Sequence, residues 1–298
     1  SISASGTSSS LSRKLARDPA MPEELINGYR MYYEVYGHGQ PLVMVHGGLG
    51  GGEGCAAMVE HHVQCLSKSF QLIFYDRRSA GLSETPSSGY GLQNQVRDLS
   101  SLLETLGVTR AHVLGSSAGG PIATRFTLDH PIMVDCLILV NTMSYASEPE
   151  RLARQRELDT LLANEALHGR EVTVEKALEA RQPTLRAIDP VQFEELRHVN
   201  LEHFDGQAQT LRGYLDIGDS IETRLGEISI PTLIVHGDAD ARIPVACAYQ
   251  LHEGIAGSEL HVIPGAGHGL MTNEASRIRT LILQFLQNHS PDIGSPAD

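Results

Sequence analysis

No run of apolar residues in this chain approaches the roughly 20 that a membrane-spanning helix requires, so a membrane-embedded protein is not expected. Cysteine is scarce: Cys55, Cys65, Cys136 and Cys247 stand far apart, with neither a C-x-x-C pair nor the dense spacing of a disulfide framework. They read as free thiols in a reducing compartment. Cys136, inside the apolar run Val134 to Val140, reads as buried and inert. Positive charge is also short, with 23 Lys and Arg against 36 Asp and Glu and a net charge of -13. A chain that neutralises phosphates needs a basic face, so nucleic acid and anionic membrane surfaces are set aside as partners. There is no internal repeat.

What is present suits a globular chain. Hydrophobic residues make up 41% and charged residues 20% of 298 positions, enough for a sizeable core in one α/β domain that carries an insertion. Residues 1–20 are serine-rich, hold Arg13, Lys14 and Arg17, and have no acid before Asp18. That bias resembles a transit peptide, and a flexible extension is the plainer reading. A cytoplasmic location is expected, with an organelle as the alternative. Residues 291–298 are expected to form a flexible tail.

From about Tyr29 to Thr142, short β-branched or apolar runs alternate with helical patterns, as βαβ units should. The spacing predicts strands at Met31 to Tyr36, Pro41 to Val45, Gln71 to Tyr75, Ala111 to Leu114 and Val134 to Val140. Several are apolar on both faces, the mark of a parallel sheet covered on each side. Leu92, Val96, Leu99, Leu102, Leu103 and Leu106 recur at helical intervals, and Gly107 stops that helix. The strand signal disappears between about Ser144 and Gly226, where a charged, helix-rich segment is broken by Pro183 and Pro190. Strands resume at Pro231 to His236 and Glu259 to Ile263, and Ser276 to Gln287 closes the chain as an amphipathic helix. The expected division is a core of residues 21–143 and 227–290 with a helical cap of residues 144–226.

Gly115-Ser116-Ser117-Ala118-Gly119 matches G-x-S-x-G between a strand and a helix. A sharp turn that lifts a serine hydroxyl above a sheet leaves no room for side chains two residues to either side, hence the flanking glycines. Only Ser117 meets that condition, since Ser116 lies between Leu114 and Ala118. A serine capping a helix start is the bland alternative. His268, in Gly267-His268-Gly269 after the last strand, is the candidate general base, although most of the 14 histidines must have other roles. Gly237-Asp238-Ala239-Asp240 follows the preceding strand and offers two acids. Asp240, slightly beyond the strand end, is preferred as the partner of His268, with Asp238 in reserve and a capping role open to either. The order serine, acid, histidine is that of one hydrolase arrangement. His46-Gly47-Gly48-Leu49 follows another strand, and its small residues let backbone amides approach a ligand. The amides of Gly48 and Ala118 are the expected oxyanion donors, with Leu49 as substitute for Gly48, and His46 is expected to hold the loop. Neither nucleotide-binding glycine pattern is complete.

On these residues, together with Asp76-Arg77-Arg78-Ser79-Ala80-Gly81-Leu82-Ser83, the chain resembles the α/β-hydrolase superfamily across Met21 to Ser290. The resemblance implies a mostly parallel eight-stranded sheet with helices on both faces, a helical cap inserted after the sixth strand, and no cofactor or metal. It also implies Ser117 as nucleophile, Asp240 as acid, His268 as base and Gly48 with Ala118 as oxyanion hole. Two departures stand out. Many relatives have a proline shortly after His-Gly, where this chain has Gly48-Leu49, and Ser79 stands where glycine is common.

A small-molecule substrate is the expected partner. Ester or lactone cleavage is the simplest activity, with carbon-carbon cleavage beside a ketone, a peptidase, and a ligand receptor with little turnover as alternatives. The serine argues against the aspartate-dependent epoxide hydrolases and dehalogenases of the same fold. Tyr145, His198, His203, Phe204 and Tyr214 are candidate pocket residues, and Arg181, Arg186 and Arg212 could meet a substrate carboxylate, though helix packing and solvated faces are the commoner roles.

Overall fold

The computed structural model describes residues 23–48, 52, 54–144, 148–215 and 221–289. Eight strands form one sheet: β1 (Glu23–Ile26), β2 (Tyr29–Tyr36), β3 (Gln40–Val45), β4 (Phe70–Tyr75), β5 (Ala111–Ser116), β6 (Val134–Val140), β7 (Thr232–Gly237) and β8 (Glu259–Ile263). Their spatial order is 1-2-4-3-5-6-7-8. β2 runs antiparallel to both β1 and β4, and every other pairing is parallel. The expected mostly parallel sheet is therefore present, with one edge strand the pattern reading did not find. β1 is short and begins Glu23-Glu24, so it lacks an apolar signature. The signal for it lies in Asn27-Gly28, whose positive φ values of 45° and 82° suit the tight turn of a two-residue hairpin.

The helices, in chain order, are α1 (Ala56–Leu66), α2 (Leu92–Thr105), α3 (Gly119–Asp129), α4 (Glu148–His168), α5 (Arg170–Arg181), α6 (Leu185–Ile188), α7 (Pro190–Glu202), α8 (Phe204–Leu215), α9 (Ala246–Gly254), α10 (Leu270–Asn273) and α11 (Ala275–His289). Leu99, Leu102 and Leu103 of α2, Ile122 and Phe126 of α3, and Leu251 of α9 pack with Val43, Val113 and Leu139 on one face of the sheet. Met58 and Leu66 of α1 and Ile278, Ile282 and Phe285 of α11 pack with Leu42, Leu114 and Ile138 on the other. Strands covered on both sides must be apolar throughout, which is why β3 and β6 read as unbroken apolar runs.

Helix ends follow their local chemistry. Gly107 takes φ 66° after α2, and Val108 N–H reaches back to Leu103 O at 2.8 Å, closing the helix as the glycine led one to expect. Asp189 caps α7 by accepting from Gln192 N–H at 3.0 Å, with Pro190 in the first turn.

Helices α4 to α8 lie between β6 and β7, in the place expected of the cap. They share a small core of their own, including Leu158, Leu161, Val174, Phe193, Leu196, Phe204 and Leu211. No described helix is long and apolar enough to cross a membrane. Among the described residues no disulfide is formed; Cys55, Cys136 and Cys247 are buried and Cys65 is exposed.

Candidate active site

The strand order places the site. From β3 the chain passes to β4 on one side, while from β5 it passes to β6 on the other, yet β3 and β5 are neighbours with Val45 paired to Gly115. Loops leaving these two strands diverge and open a crevice beyond their carboxyl ends. His46-Gly47-Gly48 leaves β3 there and Ser117 leaves β5. The register continues through Ser116 to Val140, Val140 to Val235 and Gly237 to Ile263, so the loops after β6, β7 and β8 end on the same rim.

Ser117 sits at φ 51°, in the left-handed region. For a residue with a side chain that conformation costs about 1–2 kcal/mol, and the surroundings hold it. A Cβ on Gly115 would lie 2.6 Å from Gly119 O and 2.7 Å from Ala123 Cβ, and one on Gly119 would strike Val45 O. Both flanking glycines are therefore required by contact. Thr142 Oγ1 donates to Ser117 O at 2.6 Å, and Ser117 N–H donates to Val140 O at 3.0 Å.

The Ser117 hydroxyl donates to His268 Nε2 at 2.9 Å, and His268 Nδ1–H donates to Asp240 Oδ2 at 2.7 Å. This tautomer follows from the ionised carboxylate, which can only accept. Of the two acids, Asp240 meets the imidazole. Its other oxygen, Oδ1, accepts from Arg242 N–H at 2.8 Å and Ile243 N–H at 3.0 Å, so the same side chain also closes its own turn. Burial pushes the Asp240 carboxyl up, but the bonds from His268, Ile243 and Arg242 outweigh it and leave the group below its ordinary value. Asp238 is exposed and accepts from Gly265 N–H at 2.6 Å, a turn role that ties the β7 loop to the β8 loop.

Gly47 lies against the nucleophile: a Cβ there would stand 2.8 Å from Ser117 Cβ. Gly48 follows at φ 89°, and Leu49 falls outside the described residues. Ala118 immediately precedes α3, so its amide sits at the positive end of that helix. His46 holds the loop as expected. Its Nε2 accepts from Arg77 N–H at 3.0 Å while Nδ1–H donates to Gly47 O at 2.6 Å.

Two residues that sequence patterning did not find brace the rim. Asn141, at φ 44°, accepts from Gly237 N–H through Oδ1 and donates from Nδ2 to Gly267 O, both at 2.9 Å, joining the acid-bearing strand to the histidine loop. An asparagine directly after β6 was the available signal, because asparagine tolerates the left-handed region. His236 is fully buried behind the acid. Its Nε2–H donates to Ile243 O at 2.9 Å and stands 3.7 Å from Asp240 Oδ2. Burial lowers its pKa, so we treat it as a neutral prop for the turn and not as an ion-pair partner.

The model of the alpha/beta hydrolase fold matches residues 40–275. The chain belongs to the alpha/beta hydrolase family. Among its relatives, a Variovorax paradoxus protein that carries the name carbamate hydrolase RutD is 30% identical over 275 residues, covering 90% of this chain and 99% of the relative. The 2-hydroxy-6-oxononadienedioate/2-hydroxy-6-oxononatrienedioate hydrolase of Klebsiella pneumoniae is 30% identical over 254 residues, 83% of this chain and 87% of that one. Among solved structures, a thermophilic esterase from Thermogutta terrifontis superposes with a TM-score of 0.72 at 25% identity, covering 88% of this chain and 95% of that one.

Within this hydrolase fold, the residues named as pocket candidates have different surroundings. His198 is exposed beside Glu202, because α7 turns that face to solvent. Arg186 is held by Glu175 and Glu179 on the cap surface. Tyr214 is buried against the sheet's core, its hydroxyl 3.3 Å from Met143 Sδ. Phe204 and Arg212 line a cavity of about 410 Å³ with Thr85, Pro86 and Glu165, and Ser117 is not in its walls. Tyr145 and the side chain of Arg181 fall outside the described residues. His203 is a cap-to-core link: Nδ1 accepts from the Thr85 hydroxyl at 2.7 Å and Nε2–H donates to Gly81 O at 3.0 Å. Ser79, at φ 57°, donates to His203 O at 3.2 Å and packs against Gly206 of α8. The serine that stands where glycine is common thus supplies a hydroxyl that meets the cap.

Proposed function

We propose that this chain hydrolyses a carboxylic ester or lactone of a small organic substrate through an acyl-enzyme. The observation that carries the reading is the unbroken relay from the Ser117 hydroxyl through His268 to Asp240, at 2.9 and 2.7 Å. His268 takes the Ser117 proton as Oγ attacks the carbonyl carbon, and Asp240 stabilises the resulting imidazolium and fixes its orientation. The C–O bond to the alkoxy leaving group then breaks, and that group takes the proton from His268. A water, activated by the same imidazole, attacks the acyl-enzyme and frees the acid. Gly48 and Ala118 N–H receive the oxyanion, each contributing about 2.7–4 kcal/mol if they act as comparable donors do. Because Asp240 is held ionised, it orients the ring without accepting the proton.

Carbon-carbon cleavage beside a ketone is the second reading, favoured by the name of the Klebsiella relative. The Variovorax relative's name adds carbamates to the substrates worth testing. A panel of p-nitrophenyl esters of rising chain length, lactones, an aryl carbamate and a meta-cleavage dienoate separates them. Turnover of esters or lactones with a burst of p-nitrophenol is expected. Loss of the dienoate's visible absorbance without ester turnover overturns the ester assignment.

A further inference from the structure

Arg77 lies two residues beyond the end of β4 and is 5% exposed. Its Nη1 donates to Gln95 Oε1 at 3.0 Å, and its Nη2 donates to Gly47 O at 2.9 Å and to Gly48 O at 2.5 Å. These partners are all neutral. The adjacent Arg78 differs: both oxygens of Asp98 hold it, at 2.7 and 2.8 Å. Burying a cation among neutral acceptors is expensive, and a loop carbonyl can be held by a neutral donor at far lower cost. A fixed positive charge in this place therefore needs a use.

The peptide plane supplies one. In a trans peptide the C=O of one residue and the N–H of the next point in opposite directions. With Gly47 O drawn inward onto Arg77, Gly48 N–H must point outward, on the loop that abuts Ser117 through Gly47. The same nitrogen also holds Gly48 O. A carbonyl that accepts from a cation is polarised, and the amide conjugated to it becomes a stronger donor.

We propose that Arg77 is a positioning residue for the oxyanion hole, its guanidinium orienting and polarising the Gly47-Gly48 peptide so that Gly48 N–H meets the oxyanion formed on attack by Ser117. This rests on the acyl-transfer reading given above. The effect belongs to the transition state: the donor is aimed at charge that develops only on attack, so Arg77 should govern kcat and leave ground-state binding nearly untouched.

The test uses the full chain with Arg77→Met, Arg77→Lys and Gln95→Leu. For each, kcat and KM are measured on the best ester of the panel, together with inhibition by phenylboronic acid, which forms an anionic tetrahedral adduct on the serine. For Arg77→Met, kcat is expected to fall about 100-fold with KM changed less than about threefold, and boronate affinity should fall in step with kcat. Arg77→Lys should recover part of both, and Gln95→Leu should lower both about three- to tenfold, since it frees the guanidinium on one side. Unchanged kcat and boronate affinity in folded Arg77→Met overturn the proposal, as does a loss carried mainly by KM. If Arg77→Met does not fold, the same comparison in Arg77→Lys and Gln95→Leu decides. Turnover that survives Ser117→Ala defeats the acyl-transfer reading itself, whereas Ser117-dependent turnover indifferent to Arg77 defeats only this inference.

Discussion

The rim of the sheet and the cap are held by different forces. Around Ser117 the bonds are buried or half-buried: Asp240 to His268, Asn141 to Gly237 and Gly267, Arg77 to Gly47 and Gly48. In the cap, half-exposed ion pairs such as Arg170 with Asp205 and Glu165, or Arg186 with Glu175, surround a small apolar core. Buried polar bonds are costly to break because the partner left behind is neither solvated nor paired, whereas exposed pairs contribute little. The surroundings of Ser117 are therefore held by parts that tolerate little change, and the helical insertion is built from parts that can vary. One fold can in this way serve relatives named for carbamates, dienoates and esters.

Substitution should sharpen this contrast, and the largest effects belong to the rim. Ser117→Ala should lower kcat/KM by about 10⁴-fold or more, and Asp240→Asn by roughly 10³- to 10⁴-fold, with the far-ultraviolet circular dichroism unchanged. Next comes Asn141→Ala, which breaks two bonds between the loops that carry Asp240 and His268. A drop in kcat of roughly 10- to 100-fold and a stability loss of about 2–3 kcal/mol by urea titration are expected.

Acid offers a third contrast. His62, bonded to Met271 O, and His112, bonded to Gln40, are buried in the sheet layers, and burial lowers both to about 4. The unfolded chain binds their protons near pH 6.5, before the folded one does. Their contribution is thus complete above that pH and is lost as pH falls toward 4, by at most roughly 3 kcal/mol each. Urea midpoints measured from pH 7 to 4.5 should show the loss, and a His62→Gln, His112→Gln double variant should flatten it. The smallest effect belongs to the cap surface: Arg170→Gln should leave kcat/KM within about twofold and shift Tm by no more than about 2 °C.

The same division explains what could be read from the chain. Ser117 is legible because its constraint is local, two glycines flanking one bend. Asp240 and His268 are legible because each follows a strand, and their order along the chain limits the choices. Asp238 and Asp240 could be ranked only by reach, and the structure separates them by which oxygen faces the imidazole. Arg77 escaped notice because Asp76-Arg77-Arg78 gives two adjacent arginines, and nothing local tells which lies under a glycine loop 30 residues earlier. His203 and Ser79 likewise acquire meaning only when α8 docks on the loop after β4. The helical insertion could be read as helices, but which of its faces meet the core, and which meet solvent, is decided by tertiary packing. That is why His198 and Tyr214, equally plausible as pocket residues by type, end up on the surface and in the core.

The most direct measurement treats the folded chain with a fluorophosphonate and maps the adduct by peptide mass spectrometry, alongside Ser117→Ala and His268→Ala. Stoichiometric modification of Ser117 is expected, absent in the first variant and slowed by at least about 10³-fold in the second. Modification of another serine, or an unreactive Ser117 in protein shown to be folded, would contradict the relay on which the functional reading stands.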